Sequence, residues 1–338
     1  MTIPSQHFTV CAVTADKKRY AMRTKISLKL NIVTCVIAAM VVFAFCGCTN
    51  EVHNNSGTNV VAISYVQYDF ASRICGSAAN VTMLSKPGGD VHGYEPSFGD
   101  IMKLAQADVL VYNGGESDKW VENLLESINN PSIRCVRLCD SVELLCNHDG
   151  HESGHGHGGE EHHHFDEHIH TSPKNAVLMV DAICRAMAEV DVSNKDFFEA
   201  NAEKYISQIQ KLDAELSELT SEAKNKKLIV ADRFPFLYMA RHYGFEYEAL
   251  FAGCSQENDA NPSVMIHLVN EVRAGNSDTV FYTELSNGQM ADALCRETGA
   301  KKLMLHSCEG ISREDFENRV SYVQLMKNNI SNLREAIF

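Results

Sequence analysis

Apolar residues follow two rhythms along this 338-residue chain. Short apolar runs at 60–64, 81–85, 109–112 and 133–138 alternate with stretches at 68–76, 97–105 and 117–127, where apolar positions recur every three or four residues. The runs predict buried strands and the periodic stretches predict helices. Their alternation predicts βαβ units on a parallel sheet. Ser172-Pro173 opens a further helix to about residue 189, since proline suits a first turn whose N–H groups have no helical partner. From Asn194 one stripe, Phe198, Ala202, Tyr205, Ile209, Leu212, Leu216, Leu219 and Ala223, advances in steps of four and three. It predicts a single helix of about 30 residues, about 45 Å long. The first rhythm then returns, with strands at 227–231, 247–251, 279–283 and 302–305 and helices at 236–243, 263–274, 289–298 and 313–337.

The expected fold class is α/β: two lobes, each a parallel sheet flanked by helices, joined by one long rigid helix. The lobes divide at 59–192 and 226–338, with the joining helix at 193–225. Reading the long stripe as half of a coiled-coil dimer lacks clear charge pairing at the flanking positions. In lobes of this kind ligands bind beyond the carboxyl ends of the strands.

The first 58 residues differ. Met22-Arg23-Thr24-Lys25 has the form of a second initiation point with a basic lead, followed by an apolar run at 32–45. That run is short for a membrane span and fits the apolar core of a signal peptide. It ends in Phe45-Cys46-Gly47-Cys48, which resembles a bacterial lipoprotein cleavage box; the small Gly47 suits cleavage before Cys48 and lipidation there. Residues 1–47 are thus expected to be a signal peptide and 48–58 a tether, the alternative being an uncleaved anchor. The protein is then exported and lipid-anchored to the outer face of a bacterial cytoplasmic membrane, or periplasmic. A net charge of −14 leaves no basic footprint for phosphates and argues against nucleic acid as a partner. No cysteine pair has CxxC spacing, which argues against a zinc ribbon.

Histidine changes the picture most. Nine of the fifteen histidines lie between His148 and His170. The stretch 148–164 is rich in glycine, acid and histidine, a composition with nothing to fold around, and reads as a loop. His148, His151, His155, His157, His162, His163 and His164 make it a candidate auxiliary metal-collecting arm; a solvated spacer is the plainer alternative. Other unusual residues fall at strand ends. His92 sits in a glycine- and proline-rich loop after the second strand, His168 follows the fourth strand and the histidine-rich loop, and His306 ends the last strand. Asp232 and Glu284 end two strands of the second lobe. Imidazoles with one carboxylate form a borderline-soft donor set, better suited to zinc than to calcium or magnesium.

Taken in order, His92-Gly93-Tyr94-Glu95-Pro96, the histidine-rich insert, the DEHxxTSPKNA run at 166–176, the long helix, FPFLYMARHYG at 234–244 and ETGAKKLMLH at 297–306 resemble the zinc/manganese-type ABC-transporter substrate-binding lipoproteins. The resemblance covers residues 58–338. It implies a two-lobed receptor that captures a divalent metal ion outside the membrane and delivers it to an ABC transporter permease. On it, His92 and His168 match the first two metal ligands, and His306 takes the place of the fourth. The position of the third holds Arg233, which cannot ligate, so Asp232 or Glu284 is the candidate carboxylate. His306 in place of an acid points to Zn2+ over Mn2+ as the transported ion. An exported zinc-dependent hydrolase is the competing class, but GxSxG is missing from the chain and its HExxH match, His151-Glu152-Ser153-Gly154-His155, falls in the glycine-rich loop and not in a helical pattern, so it is not expected to be an enzyme. Cys254 and Cys308, both near strand ends of the second lobe, are a candidate disulfide; free thiols or auxiliary soft ligands are the alternatives.

Overall fold

Strands form where the short apolar runs lie, and helices where the three-and-four periodicity lies. The computed structural model describes residues 57–128, 130–146, 165–252 and 261–338. The expected signal segment with Cys48, the histidine-rich loop and Cys254 fall outside these residues.

In the first lobe β1 (Thr58–Ala62), α1 (Tyr65–Cys75), β2 (Ala79–Met83), α2 (Phe98–Ala105), β3 (Val109–Tyr112), α3 (Lys119–Ile128) and β4 (Arg134–Arg137) alternate in chain order. The four strands pair in the order β2-β1-β3-β4, all parallel. After α4 (Pro173–Val190) and α5 (Lys195–Glu222) the second lobe runs through β5 (Lys227–Phe234), α6 (Leu237–Tyr243), β6 (Glu246–Ala252), α7 (Pro262–Arg273), β7 (Thr279–Thr283), α8 (Gln289–Thr298) and β8 (Lys301–Leu305). Its sheet repeats the pattern as β6-β5-β7-β8, again all parallel. In both lobes the reversal of strand order leaves a crevice at the strands' carboxyl ends, where loops are free to carry chemistry.

The stripe on α5 is buried from Phe198 to Leu219. Burying each large aliphatic side chain of this kind stabilises the fold by about 1.5–3 kcal/mol. These side chains share one hydrophobic core with α1, α4 and the C-terminal helix α10 (Tyr322–Ile337), so the joining helix is packed along its length. Ala223 instead caps α5 in an extended conformation. Asp69 of α1 adds a polar tie. Its carboxylate accepts the hydroxyl proton of Tyr205 on α5 and the N–H of Tyr322, the first residue of α10.

Two expectations are corrected. The helix expected across 313–337 is broken into α9 (Arg313–Glu317) and α10. Arg319 takes a left-handed backbone (φ 55°), and the Ser321 hydroxyl accepts the Gln324 N–H to start a new helix. The fifth strand runs on to Phe234, with a register break between Val230 and Arg233.

Candidate metal centre

The loops beyond β2, β4 and β8 bring His92, His168 and Glu309 together. Gly88 (φ 82°) allows the chain leaving β2 to turn, and the loop's Asp90 carboxylate accepts the His92 N–H at 3.0 Å. His168 sits immediately before a 3-10 turn, Ile169–Thr171, that leads into the Pro173 helix. Its carbonyl is held by the Thr171 hydroxyl at 2.8 Å. Glu309 follows β8 and is met by the first lobe, whose Tyr65 N–H donates to the Glu309 carbonyl at 3.1 Å.

Nε2 of His92 lies 3.2 Å from Nε2 of His168 and 3.1 Å from a carboxylate oxygen of Glu309; the same oxygen is 3.6 Å from Nε2 of His168. A tetrahedral zinc at ~2.0–2.1 Å from its ligands separates those ligands by about 3.3 Å. The three donor atoms are therefore spaced as such an ion requires. The opposite nitrogen of each ring is engaged. Nδ1 of His92 meets the Ser117 hydroxyl at 3.0 Å, and Nδ1 of His168 meets the Asp166 carboxylate at 3.0 Å. Partners of this kind fix the ring orientation and leave Nε2 to face a metal.

Ser117 is itself positioned. Its N–H donates to the Glu167 carboxylate at 3.1 Å, while the Asn113 side chain holds the Glu167 carbonyl at 2.7 Å. Asp118 closes the same loop by accepting the N–H groups of Asn113 and Gly114 at 2.8 and 3.0 Å. Burial pushes its carboxyl up to about 6, against the opposing pull of those two hydrogen bonds.

Burial would raise the Glu309 carboxyl too, but the charge and hydrogen bond of the His92 imidazole and the charge of the His168 imidazole outweigh it. They hold this carboxyl well below the usual carboxylate range. Burial pushes His170 down to about 4, so that ring is neutral at ordinary pH. The result is one anionic oxygen and two neutral-capable nitrogens at the wall of a cleft of about 770 Å3, which Tyr94, Trp120, Arg233 and Glu284 also line.

Among the described residues this is the group of His, Cys, Asp and Glu side chains close enough to hold one metal ion. It contains His92 and His168 and leaves out the other candidates. His306 is 4% exposed, and its Nδ1 accepts the Cys308 N–H at 2.9 Å instead of turning to the other two imidazoles. Asp232 is spent on the protein, accepting the Arg233 N–H and both the N–H and hydroxyl of Thr283. Glu284 reaches the cleft, but its two oxygens accept the N–H and hydroxyl of Ser307. Cys308 is a buried free thiol, while Cys254 lies outside the described residues. Glu309 lies beyond the reach of a reading that stops at the end of β8. The same reading carried four residues further, to Cys308-Glu309-Gly310, would have reached it.

A family model described as zinc-uptake complex component A, periplasmic, matches residues 60–336. The zinc-binding lipoprotein AdcA of Streptococcus pneumoniae is 28% identical over 305 residues, which cover 90% of this chain and 60% of that protein. The chain thus spans less than two thirds of the length of that relative. The high-affinity zinc uptake system protein ZnuA of Bacillus subtilis is 27% identical over 280 residues, covering 82% of this chain and 87% of that one. In a crystal structure, the Zn(II)-bound ZnuA-like domain of Streptococcus pneumoniae AdcA superposes with a TM-score of 0.70 at 27% identity, over 83% of this chain and 99% of that domain.

Proposed function

Because this chain belongs to the periplasmic zinc-uptake complex component A family, we propose that it is the extracytoplasmic receptor of a zinc-uptake system, binding Zn2+ in the cleft and passing it to an ABC permease. The observation that carries this reading is the convergence of His92, His168 and Glu309 at spacings that suit one tetrahedral ion. Two imidazoles and a single carboxylate favour zinc over manganese, which prefers an oxygen-rich shell. Carriage is favoured over hydrolysis because two further carboxylates lining the cleft are already engaged, Glu284 by the N–H and hydroxyl of Ser307 and Glu167 by the Ser117 N–H, and neither is poised as a base. Cleavage before Cys48 and its lipidation would hold the protein at the outer face of the membrane, within reach of a permease. The histidines of 148–164, which precede His168 in the chain, serve as a lower-affinity collecting arm.

The test is a zinc titration against a chromogenic chelator, with model esters assayed alongside. One tight zinc per chain and no turnover is expected; failure to retain zinc in competition would sink the reading. Deleting residues 148–163 should lower total zinc stoichiometry and leave the tight site. Loss of the tight site would show that the loop supplies it.

A further inference from the structure

We propose that His306 and Glu284 are positioning residues, which set the Glu309 carboxylate against the two imidazoles before a metal arrives. The inference rests on Glu309 being a zinc ligand, as read above. It starts from the backbone just before that residue. Cys308 is fully buried and has φ 67°, a left-handed conformation that a residue with a side chain adopts only when its surroundings impose it. Strain of this kind next to a ligand asks what holds it.

Two sets of contacts do. Nδ1 of His306 accepts the Cys308 N–H at 2.9 Å, spanning the turn from its first residue to its third. His306 is in turn clamped by Asn329, whose side chain accepts the His306 N–H at 2.7 Å and donates to its carbonyl at 2.8 Å. On the other flank, Glu284 takes both the N–H (2.9 Å) and the hydroxyl proton (2.5 Å) of Ser307. With its proton committed there, the Ser307 oxygen presents a lone pair to the Glu309 N–H, at 3.2 Å. The Glu309 carbonyl is already bound by Tyr65 of the first lobe. Both peptide groups of Glu309 are thereby fixed, and only side-chain torsions remain to be ordered on binding. Ordering cost avoided at binding appears as affinity.

The sequence alone suggested that His306 coordinates the metal. The structure assigns it a different task, one an asparagine can perform, since an Asn side-chain oxygen reaches its own i+2 N–H in an Asx turn. The experiment compares His306→Asn, His306→Ala and Glu284→Gln in the full chain by zinc–chelator competition, X-ray absorption of the zinc-loaded protein, and thermal unfolding with and without zinc. His306→Asn should keep near wild-type affinity and the same number of imidazoles around zinc. His306→Ala should lose about 10–100-fold, the usual range for groups that orient ligands. Its zinc-induced gain in Tm should shrink beyond any change in the metal-free Tm, which a purely structural role would not produce. Glu284→Gln, which tests the other flank should His306→Ala not fold, should lose affinity in the same direction. The proposal is overturned if alanine and asparagine lose affinity equally, if neither His306→Ala nor Glu284→Gln loses any, or if one imidazole disappears from the zinc shell of His306→Asn. Wild-type protein that binds no zinc would instead overturn the reading of the site itself.

Discussion

The Nε2 atoms of His92 and His168 face each other at 3.2 Å, although the residues are 76 positions apart. Each ring is turned this way by a partner on its far nitrogen, Ser117 for one and Asp166 for the other. Two lone pairs held this close repel unless a cation or a proton lies between them, so the arrangement stores a preference for an ion. Glu309 adds the compensating negative charge.

Removing any of the three donors should be costly. His92→Ala, His168→Ala and Glu309→Ala are each expected to weaken zinc binding by at least ~100-fold, more than the loss of an orienting partner alone. Competition titration of each variant checks this. A variant within threefold of wild type would remove that residue from the ligand set.

Zinc affinity should fall steeply in acid. Glu309 is held well below the ordinary carboxylate range, its neighbouring imidazoles overcoming the effect of burial, and so stays ionised. The proton competition then belongs to the two imidazoles, which must be unprotonated at Nε2 to ligate. Where both carry protons, two must leave for each zinc bound, so affinity should drop by up to ~100-fold per pH unit. Titrations between about pH 5 and 7.5 measure the slope. A flat profile would count against imidazole ligation.

Asp118 governs a pH effect of opposite sign on the metal-free fold. Burial raises its carboxyl to about 6, above the ~3.9 of an unfolded chain. Between those values the folded state holds the proton more tightly. The stability this provides is fully present below the unfolded value and is lost as pH rises through about 6. Asp118→Asn retains an acceptor oxygen for the Asn113 and Gly114 N–H groups without a buried charge. It should be more stable than wild type at neutral pH by on the order of 2 kcal/mol, with the gap closing near pH ~4. Urea unfolding of both proteins at the two pH values decides the matter.

Gly115 links the fold to His92 through a close approach. A Cβ built there would lie 2.3 Å from the Glu167 carboxyl, the group that accepts the Ser117 N–H. Gly115→Ala should displace Glu167 and loosen Ser117 from His92. The expected cost is about 1–3 kcal/mol in stability, the range for overpacking a filled site, together with a measurable loss of zinc affinity. Unchanged unfolding and unchanged zinc binding would show that Glu167 can move aside freely.

The architecture was legible because it follows from local chemistry repeated along the chain. Short apolar runs bounded by turns have one good use as buried parallel strands, and the stripe from Phe198 to Leu219 has one good use as a packed helical face. The break in the last helix escaped notice because it depends on Arg319 entering the left-handed region and on Tyr322 reaching Asp69, 253 positions away. Neither leaves a mark in hydrophobic periodicity.

The site divides along the same line. His92 and His168 stood out in the sequence because each lies in an unusual loop beyond a strand. Their type and place were enough to nominate imidazole ligation of a transition metal. Whether His306 or Glu309 stands with them is a matter of a few ångströms of backbone direction after β8. That direction is set by Asn329, Glu284 and Tyr65, contacts made across 23 positions or more. Periodicity and composition determine which elements form and where their loops emerge. Only the packed fold, by fixing how those loops turn, decided that a carboxylate and not a third imidazole completes the group.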